Sequence, residues 1–331
     1  MNILVTGGAG YVGSHAVELL EAEGHEVWVL DNLVYGHRGA VANQDRLTQG
    51  EISDRELVER LLREHQIEAV MHFAAYALVG ESVTDPAKYY QNNVVGTLSL
   101  LDAMREVGVK LLVFSSTCAT YGEPEVVPIR EDCPQSPINP YGFTKLVIEH
   151  AMEDYRHAYG LSYAALRYFN ASGASARGTI GEDHTPETHL IPLVLDVPLG
   201  KRDAIKVFGT DYPTPDGTCI RDYIHVDDLA TAHLASLLKL KELGDGHEIR
   251  CNLGTGHGAT VLEVIDACER VVGKPIKRIN TDRRPGDPPE LVADASTAER
   301  LIGWKAKITD IEEIIASAWN WHSAHPNGFD D

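Results

Sequence analysis

Asn2-Ile3-Leu4-Val5-Thr6-Gly7-Gly8-Ala9-Gly10-Tyr11-Val12-Gly13, followed by Ser14 to Glu23, Gly24 and then Glu26-Val27-Trp28-Val29-Leu30-Asp31, is the stretch on which the reading of this chain turns. Residues 2–6 read as a short apolar strand, 14–23 as an amphipathic helix stopped by Gly24, and 26–31 as a second strand ending in a carboxylate. This is a βαβ unit with glycines at 7, 10 and 13 in its first turn. Gly7 permits a tight strand-to-helix turn, Gly10 lets a pyrophosphate approach the backbone, and Gly13 lets helix and strand pack closely. The first helical turn offers unpaired N–H groups and the positive end of the helix dipole to phosphates. Asp31 can accept hydrogen bonds from both hydroxyls of an adenosine ribose, and its charge repels a 2′-phosphate. The implied cofactor is NAD rather than NADP.

The chain continues in alternation. Residues 52–65 read as a helix with Asp54 as a cap, and Ala69-Val70-Met71-His72-Phe73 as a strand running into Ala74-Ala75. Small residues at that point leave room for a cofactor at the carboxyl edge of a parallel sheet. Asp85-Pro86 begins a long helix to about Gly108, with the acid as cap and the proline in the first turn. Lys110-Leu111-Leu112-Val113-Phe114-Ser115-Ser116 is a strand, 141–159 a helix and 162–169 a strand. This pattern predicts an α/β fold with a doubly wound, parallel Rossmann-type sheet. After Asn170 the texture changes: 173–188 reads as loop, and prolines 186, 192, 198, 213 and 215 interrupt the pattern. The expected division is a dinucleotide-binding domain over 1–169 and a smaller mixed α/β substrate domain over 170–331, with 220–245 packing back on the first.

Composition narrows the function classes. The 331 residues carry 44% apolar side chains and a formal charge of −20, which fits a globular protein and argues against nucleic acid or anionic membranes as partners. The five cysteines, at 118, 133, 219, 251 and 268, form no C-x-x-C pair, which argues for a reducing compartment and against a disulfide framework or zinc cluster. With no basic-then-apolar leader and no apolar run long enough for a membrane span, the expected location is the cytoplasm.

The catalytic signal is Tyr141-Gly142-Phe143-Thr144-Lys145, preceded by Asn139-Pro140, which starts a helix. Residues four apart share a helix face, which places the Lys145 ammonium beside the Tyr141 phenol. A free tyrosine, with a pKa of about 10, is a poor base at neutral pH. A nearby lysine and an oxidised nicotinamide both favour its phenolate. A hydroxyl cluster, Ser115-Ser116-Thr117, lies upstream at a strand end, and Tyr121-Gly122 closes the loop after it. His225, Asp227 and Asp228 raise the possibility of a metal site, but Asp227 reads better as a helix cap, and there is no H-E-x-x-H or cysteine cluster; no metal is expected.

Taken together, the Gly-x-x-Gly-x-x-Gly spacing and Tyr-x-x-x-Lys resemble the extended short-chain dehydrogenase/reductase superfamily, and nearly the whole chain resembles its UDP-glucose (UDP-galactose) 4-epimerases. Leu166-Arg167-Tyr168-Phe169-Asn170, Gly181-Glu182-Asp183-His184, Leu190-Ile191-Pro192, Phe208-Gly209-Thr210-Asp211-Tyr212 and 217–228 carry that resemblance. It implies a Thr117, Tyr141, Lys145 catalytic set, with Thr117 bonding the sugar 4-hydroxyl and Tyr141 moving its proton. It also implies NAD along Gly7, Gly10, Tyr11, Val12, Gly13, Asp31, Asn32, Glu51, Ile52, Phe73, Ala74, Ala75, Asn92 (or its neighbour Asn93), Lys145 and Phe169. A UDP-sugar would meet Asn170, His189, Leu190, Phe208 beside the uracil, Arg221 and Arg284 at the diphosphate, and Leu291 beside the turning sugar. The resemblance further implies a homodimer through the helices near 92–107 and 142–159. The chain departs from many members in having Ala77 where they have a lysine and His189 where some have asparagine. Hexose-restricted members resemble one another in a tyrosine at the Leu291 position, and N-acetyl-tolerant ones carry something smaller.

Three other readings stay open. A 4,6-dehydratase carries an Asp-Glu pair after the threonine, where this chain has Cys118-Ala119. A UDP-uronate or UDP-pentose epimerase or decarboxylase would need a cation for the sugar carboxylate. A non-catalytic dinucleotide sensor of the same fold typically loses the tyrosine–lysine pair.

Overall fold

The computed structural model describes residues 1–284 and 286–330. β1 (Asn2–Thr6), α1 (Tyr11–Ala22), β2 (Glu26–Asp31), β3 (Leu47–Gln49), α2 (Arg55–Glu64) and β4 (Ala69–His72) open the chain. There follow α3 (Val79–Thr84), α4 (Pro86–Tyr89), a π-helical turn (Tyr90–Val95), α5 (Gly96–Val107), β5 (Leu111–Thr117), α6 (Pro140–Tyr159) and β6 (Ser162–Tyr168). The second half holds β7 (Asn170–Ser172), α7 (Leu190–Leu195), β8 (Ile205–Phe208), β9 (Ile220–His225), α8 (Val226–Leu243) and β10 (Glu248–Leu253). It closes with β11 (Gly258–Thr260), α9 (Val261–Val272), β12 (Arg278–Thr281), β13 (Glu290–Leu291), α10 (Ser296–Ile302) and α11 (Ile311–Ala324).

Seven strands form one parallel sheet in the order β3-β2-β1-β4-β5-β6-β10. The doubly wound sheet is therefore the one read from the alternating pattern. The inner strands β1, β4, β5 and β6 are buried on both faces, so their side chains divide by period two. Ile3, Val5, Met71 and Val113 face α1 and α8, where Val17, Leu20, Leu229 and Leu240 meet them. Leu4, Val70, Leu112 and Phe114 face the other way, toward Val58, Leu100, Met104, Ile148 and Met152 of α2, α5 and α6.

Two features tie the second half of the chain to the large sheet. β9 runs straight into α8, which lies on the large sheet, and β10 then adds its seventh strand beside β6. A third core forms around α7, α9 and α11, over β8 and β9. The substrate-side sheet is small: β9 is flanked by β11 and β13, with β7 also pairing to it.

Local chemistry explains the boundaries. Asp54 accepts from Leu57 N at 3.0 Å and so starts α2 at Arg55, after the expected Ile52. Asn139 accepts from Gly142 N at 2.9 Å and starts α6 with Pro140 in its first turn. At α8 the cap is His225, whose ring accepts from Asp227 N at 3.1 Å; Asp227 lies inside the first turn. This corrects the reading of Asp227 as the cap: the imidazole reaches the N–H first, and the Asp227 carboxylate accepts from Ala176 N at 3.4 Å instead.

Candidate active site

The carboxyl ends of β1, β2, β4, β5 and β6 converge on one cavity of about 430 Å³. This is the edge at which open α/β sheets bind their ligands, at the switch between β1 and β4. Gly7, Gly10, Tyr11, Val12, Gly13, Asp31, Asn32, Glu51, Ile52, Phe73, Ala74, Ala75, Asn92, Tyr141 and Phe169 all line it, as expected positions for the cofactor. Thr117, Asn170, His189, Arg221 and Leu291 line the same cavity, from the side assigned to the sugar nucleotide.

The glycine turn fits a dinucleotide by its geometry. Gly7 has φ +74°, and a Cβ there would lie 2.5 Å from Ala74 N; at Gly13 it would lie 2.1 Å from Gly7 O. Both positions exclude side chains for packing reasons. Gly10 differs: a Cβ there would meet only Gly7 O, at 3.4 Å, so it faces open cavity. The surface it bares is what a pyrophosphate needs. No acidic side chain stands in the first turn of α1. Asp31 accepts from Ala9 N at 3.0 Å and Leu33 N at 2.9 Å, which fixes the carboxylate at the cavity wall with acceptor capacity left for a ribose. Burial pushes its pKa up, and those two backbone donors work against the rise.

The opposite wall is built by β5 and α6. Thr117 ends β5 and lines the cavity, and its Oγ1 accepts from Ala119 N at 3.2 Å. Tyr141 opens α6 and is 9% exposed. The first turn of α6 presses on the turn after Thr117: a Cβ on Gly142 would lie 2.4 Å from Ala119 O. Burial pushes the Tyr141 phenol well above its usual value, and the Thr117 side chain pulls it down. The protein alone thus favours the neutral form of the Tyr141 phenol.

Lys145 lies behind the wall, 2% exposed, with Nζ donating to Ser115 O at 2.7 Å and standing 4.7 Å over the Phe114 ring. One turn along α6 from Tyr141, Nζ is held by the Ser115 carbonyl of β5. Burial lowers Lys145 to about 7, and Glu149 opposes that. The linkage follows from the direction. Below pH 7 the amine is protonated folded and unfolded, so the burial penalty is fully present; as pH rises toward the ordinary lysine value, the folded chain has released the proton and the penalty fades. Lys145→Met is therefore expected to raise Tm relative to the unaltered chain at pH 6, and the gap is expected to shrink by pH 9. A gap that stays constant or widens in paired thermal melts would contradict the buried-amine account.

Asn93 was the less favoured of two neighbouring asparagines, and it is the one that organises the site. Its Oδ1 accepts from Tyr76 N at 2.9 Å, and its Nδ2 donates to Tyr76 O at 3.0 Å and Thr144 Oγ1 at 3.2 Å. Thr144 donates on to Tyr141 O at 2.7 Å. One fully buried amide thus ties the Ala74–Tyr76 side of the cavity to the helix that carries Tyr141. The π-turn rotates the helix face here, turning Asn93 inward while Asn92 lines the cavity.

The sequence reading missed a second buried group. Glu149 accepts from Arg167 at 2.6 Å and from Ser116 Oγ at 2.5 Å, and Arg167 donates to Tyr121 OH at 2.8 Å. The pair's side chains are 4% and 3% exposed. Lys145 and Glu149, four apart on α6, were the available signal.

Besides Lys145, three expected contacts are absent from the cavity wall. Phe208 and Arg284 stack on each other, guanidinium carbon 4.0 Å from the ring centroid, and neither lines the cavity. Leu190 packs into the α7–α9 core instead. Apolar and cationic faces on neighbouring segments satisfied one another there. Arg221 does reach the cavity, paired with Asp287. At 225–228, where no metal is expected, Asp228 accepts from Lys307 N at 2.9 Å and Ile308 N at 2.8 Å, as a structural anchor.

The Epimerase model, described as the NAD dependent epimerase/dehydratase family, matches residues 3–254. A UDP-glucose 4-epimerase of Halalkalibacterium halodurans is 52% identical over 329 residues, covering 99% of this chain and 98% of that protein. A solved UDP-glucose 4-epimerase superposes with a TM-score of 0.97 at 48% identity, with 100% of both chains covered. The Brucella ovis UDP-glucose 4-epimerase, solved in complex with NAD, gives 0.93 at 49% identity, covering 96% of this chain and 98% of that one. The glycine turn, the ribose carboxylate and the tyrosine–lysine helix thus stand in a frame shared end to end with these proteins. The chain belongs to the NAD dependent epimerase/dehydratase family, within the extended short-chain dehydrogenase/reductase superfamily and on the side of its UDP-glucose 4-epimerases.

Proposed function

We propose that this enzyme, an isomerase, interconverts UDP-glucose and UDP-galactose by transient oxidation at C4. One observation carries the reading: Tyr141 and Thr117 line the same continuous cavity as the glycine turn and Asp31, so acid–base groups and dinucleotide site face one space. NAD, when bound, supplies a hydride acceptor and donor at that carbon. Tyr141 takes the proton of the 4-hydroxyl, with Thr117 bonding that oxygen and relaying the proton. The resulting 4-keto sugar turns about its diphosphate linkage, so that the hydride would return to the opposite face of C4 while Tyr141 returns the proton to the 4-oxygen. Lys145, one turn along and behind the wall, adds positive charge on that side of the cavity that favours the phenolate. Asn170, His189 and Arg221 hold the UDP portion, where the forked guanidinium suits a phosphate and Asp287 is its partner in waiting.

The dehydratase alternative lacks its chemistry here. After Thr117 stands Cys118, whose buried thiol is pushed up to about 12 and stays protonated, and then Ala119. Purified protein given UDP-galactose, without added reductant and in excess chelator, should yield UDP-glucose. A 4-keto-6-deoxy sugar or a pentose as product would overturn the assignment.

A wider substrate range rests on Leu291. It is half-buried at the cavity wall, in a small cluster with Cys118, Tyr121, Ile129 and Phe169. No aromatic ring stands at this position, which leaves space for an acetamido group as the sugar turns. UDP-N-acetylglucosamine should therefore also be epimerised, and Leu291→Tyr should lower its kcat/KM selectively. No turnover by the unaltered chain, or an equal loss for both sugars, would exclude this.

The homodimer expected from the helix faces fits the exposure pattern. Val95, Leu98 and Phe143 are 46, 37 and 44% exposed on the helices around α5 and α6. No helix among the described residues is long and apolar enough to cross a membrane. A cytoplasmic homodimer is the assembly we propose, with sedimentation mass as its check.

A further inference from the structure

Four side chains outside the acid–base set converge where the 173–188 loop meets α7. Glu182, His184, Glu187 and His189 each turn one ligand-type atom to a common point, and these atoms all lie within 4.8 Å of one another. His184 Nδ1 is 3.2 Å from Glu182 Oε1 and 3.6 Å from Glu187 Oε2. His189 Nδ1 contacts the same Glu182 oxygen and lies 3.8 Å from Glu187 Oε1.

Two independent observations speak for a bound cation rather than for hydrogen bonding alone. First, only imidazoles stand against the carboxylates. Glu182 is 3% exposed and Glu187 is 15% exposed, yet among the described ion pairs neither meets an arginine or lysine. Two sequestered carboxylates without a permanent cation are costly, and a divalent ion relieves both. Second, the surroundings orient the donors. Thr188 N and His189 N fix one Glu187 oxygen at 2.6 and 2.7 Å, leaving Oε2 turned to the cluster. The Glu182 carbonyl accepts from Trp321 Nε1 at 3.3 Å, which anchors that residue's backbone. Such outer contacts are what hold metal ligands in place.

Two imidazoles and two carboxylates are a four-donor set suited to zinc, which binds nitrogen and oxygen at about 2.0–2.2 Å in tetrahedral geometry. We propose that Glu182, His184, Glu187 and His189 form a zinc site that latches the 173–188 loop to the N-terminal cap of α7. His184 and His189 also wall the cavity, so the latch fixes that wall's position without entering the chemistry at C4. Both rings present Nδ1 to the cluster, which leaves the rest of the His189 ring free to face the cavity.

The test uses the full-length, NAD-loaded protein after metal stripping. Competition against a chromophoric chelator should show one tightly held zinc ion per chain. Outer-shell replacements already cost about 10–100-fold in metal affinity, so His184→Ala and Glu182→Gln should each cost about 100-fold or more. His257→Ala, an exposed histidine elsewhere, should change nothing. Unchanged NAD content and circular dichroism would show that the variants are folded. Should either variant fail to fold, cobalt substitution of the unaltered chain decides: an intense visible spectrum of a tetrahedral ion is expected. A weak, hydrated-type spectrum, or zinc affinity indifferent to both substitutions, would overturn the proposal. Epimerase activity is not the readout, so the two conclusions stand or fall separately.

Discussion

Tyr141→Phe is expected to cut kcat by about 10²–10⁴-fold while leaving UDP-sugar affinity nearly unchanged, because general acid–base groups are typically worth that much. The substitution removes one hydroxyl from a side chain 9% exposed at the start of α6, and the ring that fills the wall remains. The phenol's own hydrogen-bond demand on the fold is small: its displacement is set chiefly by burial, with Thr117 as the polar neighbour that lowers it. The loss should therefore fall on kcat, with the binding of a UDP-sugar, measured by titration, retained. Turnover by the phenylalanine variant at the unaltered rate would refute the assignment of Tyr141 as the proton carrier. A fall in affinity as large as the fall in kcat would instead make Tyr141 a binding group.

Glu149→Ala is expected to destabilise the chain by about 3–5 kcal/mol, the usual consequence of leaving one partner of a buried ion pair alone. Arg167 would keep Tyr121 OH at 2.8 Å and lose every carboxylate contact, at 3% exposure. Ser116 would lose its acceptor as well. A second effect reaches the site. Glu149 lies one turn from Lys145 on α6 and pulls the amine's pKa upward. Without it the amine is held still lower, so the favourable charge near the Tyr141 helix diminishes. Urea unfolding should show the lowered midpoint, and Glu149→Gln, which keeps hydrogen-bonding capacity, should lose less. A change below about 1 kcal/mol would mean that the pair is solvated in ways its burial does not indicate.

The parts of this fold that were legible beforehand are those written in local chemistry. The glycine turn, Asp31, the Asn139-Pro140 start of α6 and the Tyr141–Lys145 spacing each follow from a short-range rule, and the glycines, Asp31, Asn139 and Tyr141 line one cavity. The parts that escaped depend on distant partners. β10 reads like any half-buried strand, and nothing in Glu248–Leu253 says that its neighbour is β6 rather than a strand of its own half. The choice between Asn92 and Asn93 turned on a π-helical turn that shifts the face by a fraction of a residue. Phe208 and Arg284 have suitable chemistry for a nucleotide, yet each found the other first. The cluster at Glu182, His184, Glu187 and His189 was hidden because its ligands alternate along a loop, where no helical spacing rule applies.

The central claim, that the sugar is oxidised and reduced at one carbon within one cavity, is tested most directly by isotope. UDP-galactose carrying deuterium at C4 is converted by purified protein in ordinary water, and the UDP-glucose formed is examined by mass and NMR. Full retention of deuterium at C4 is the predicted result, because the hydrogen that leaves C4 returns to it without meeting solvent. Exchange of the label for solvent hydrogen, or its appearance at another carbon, would contradict the account.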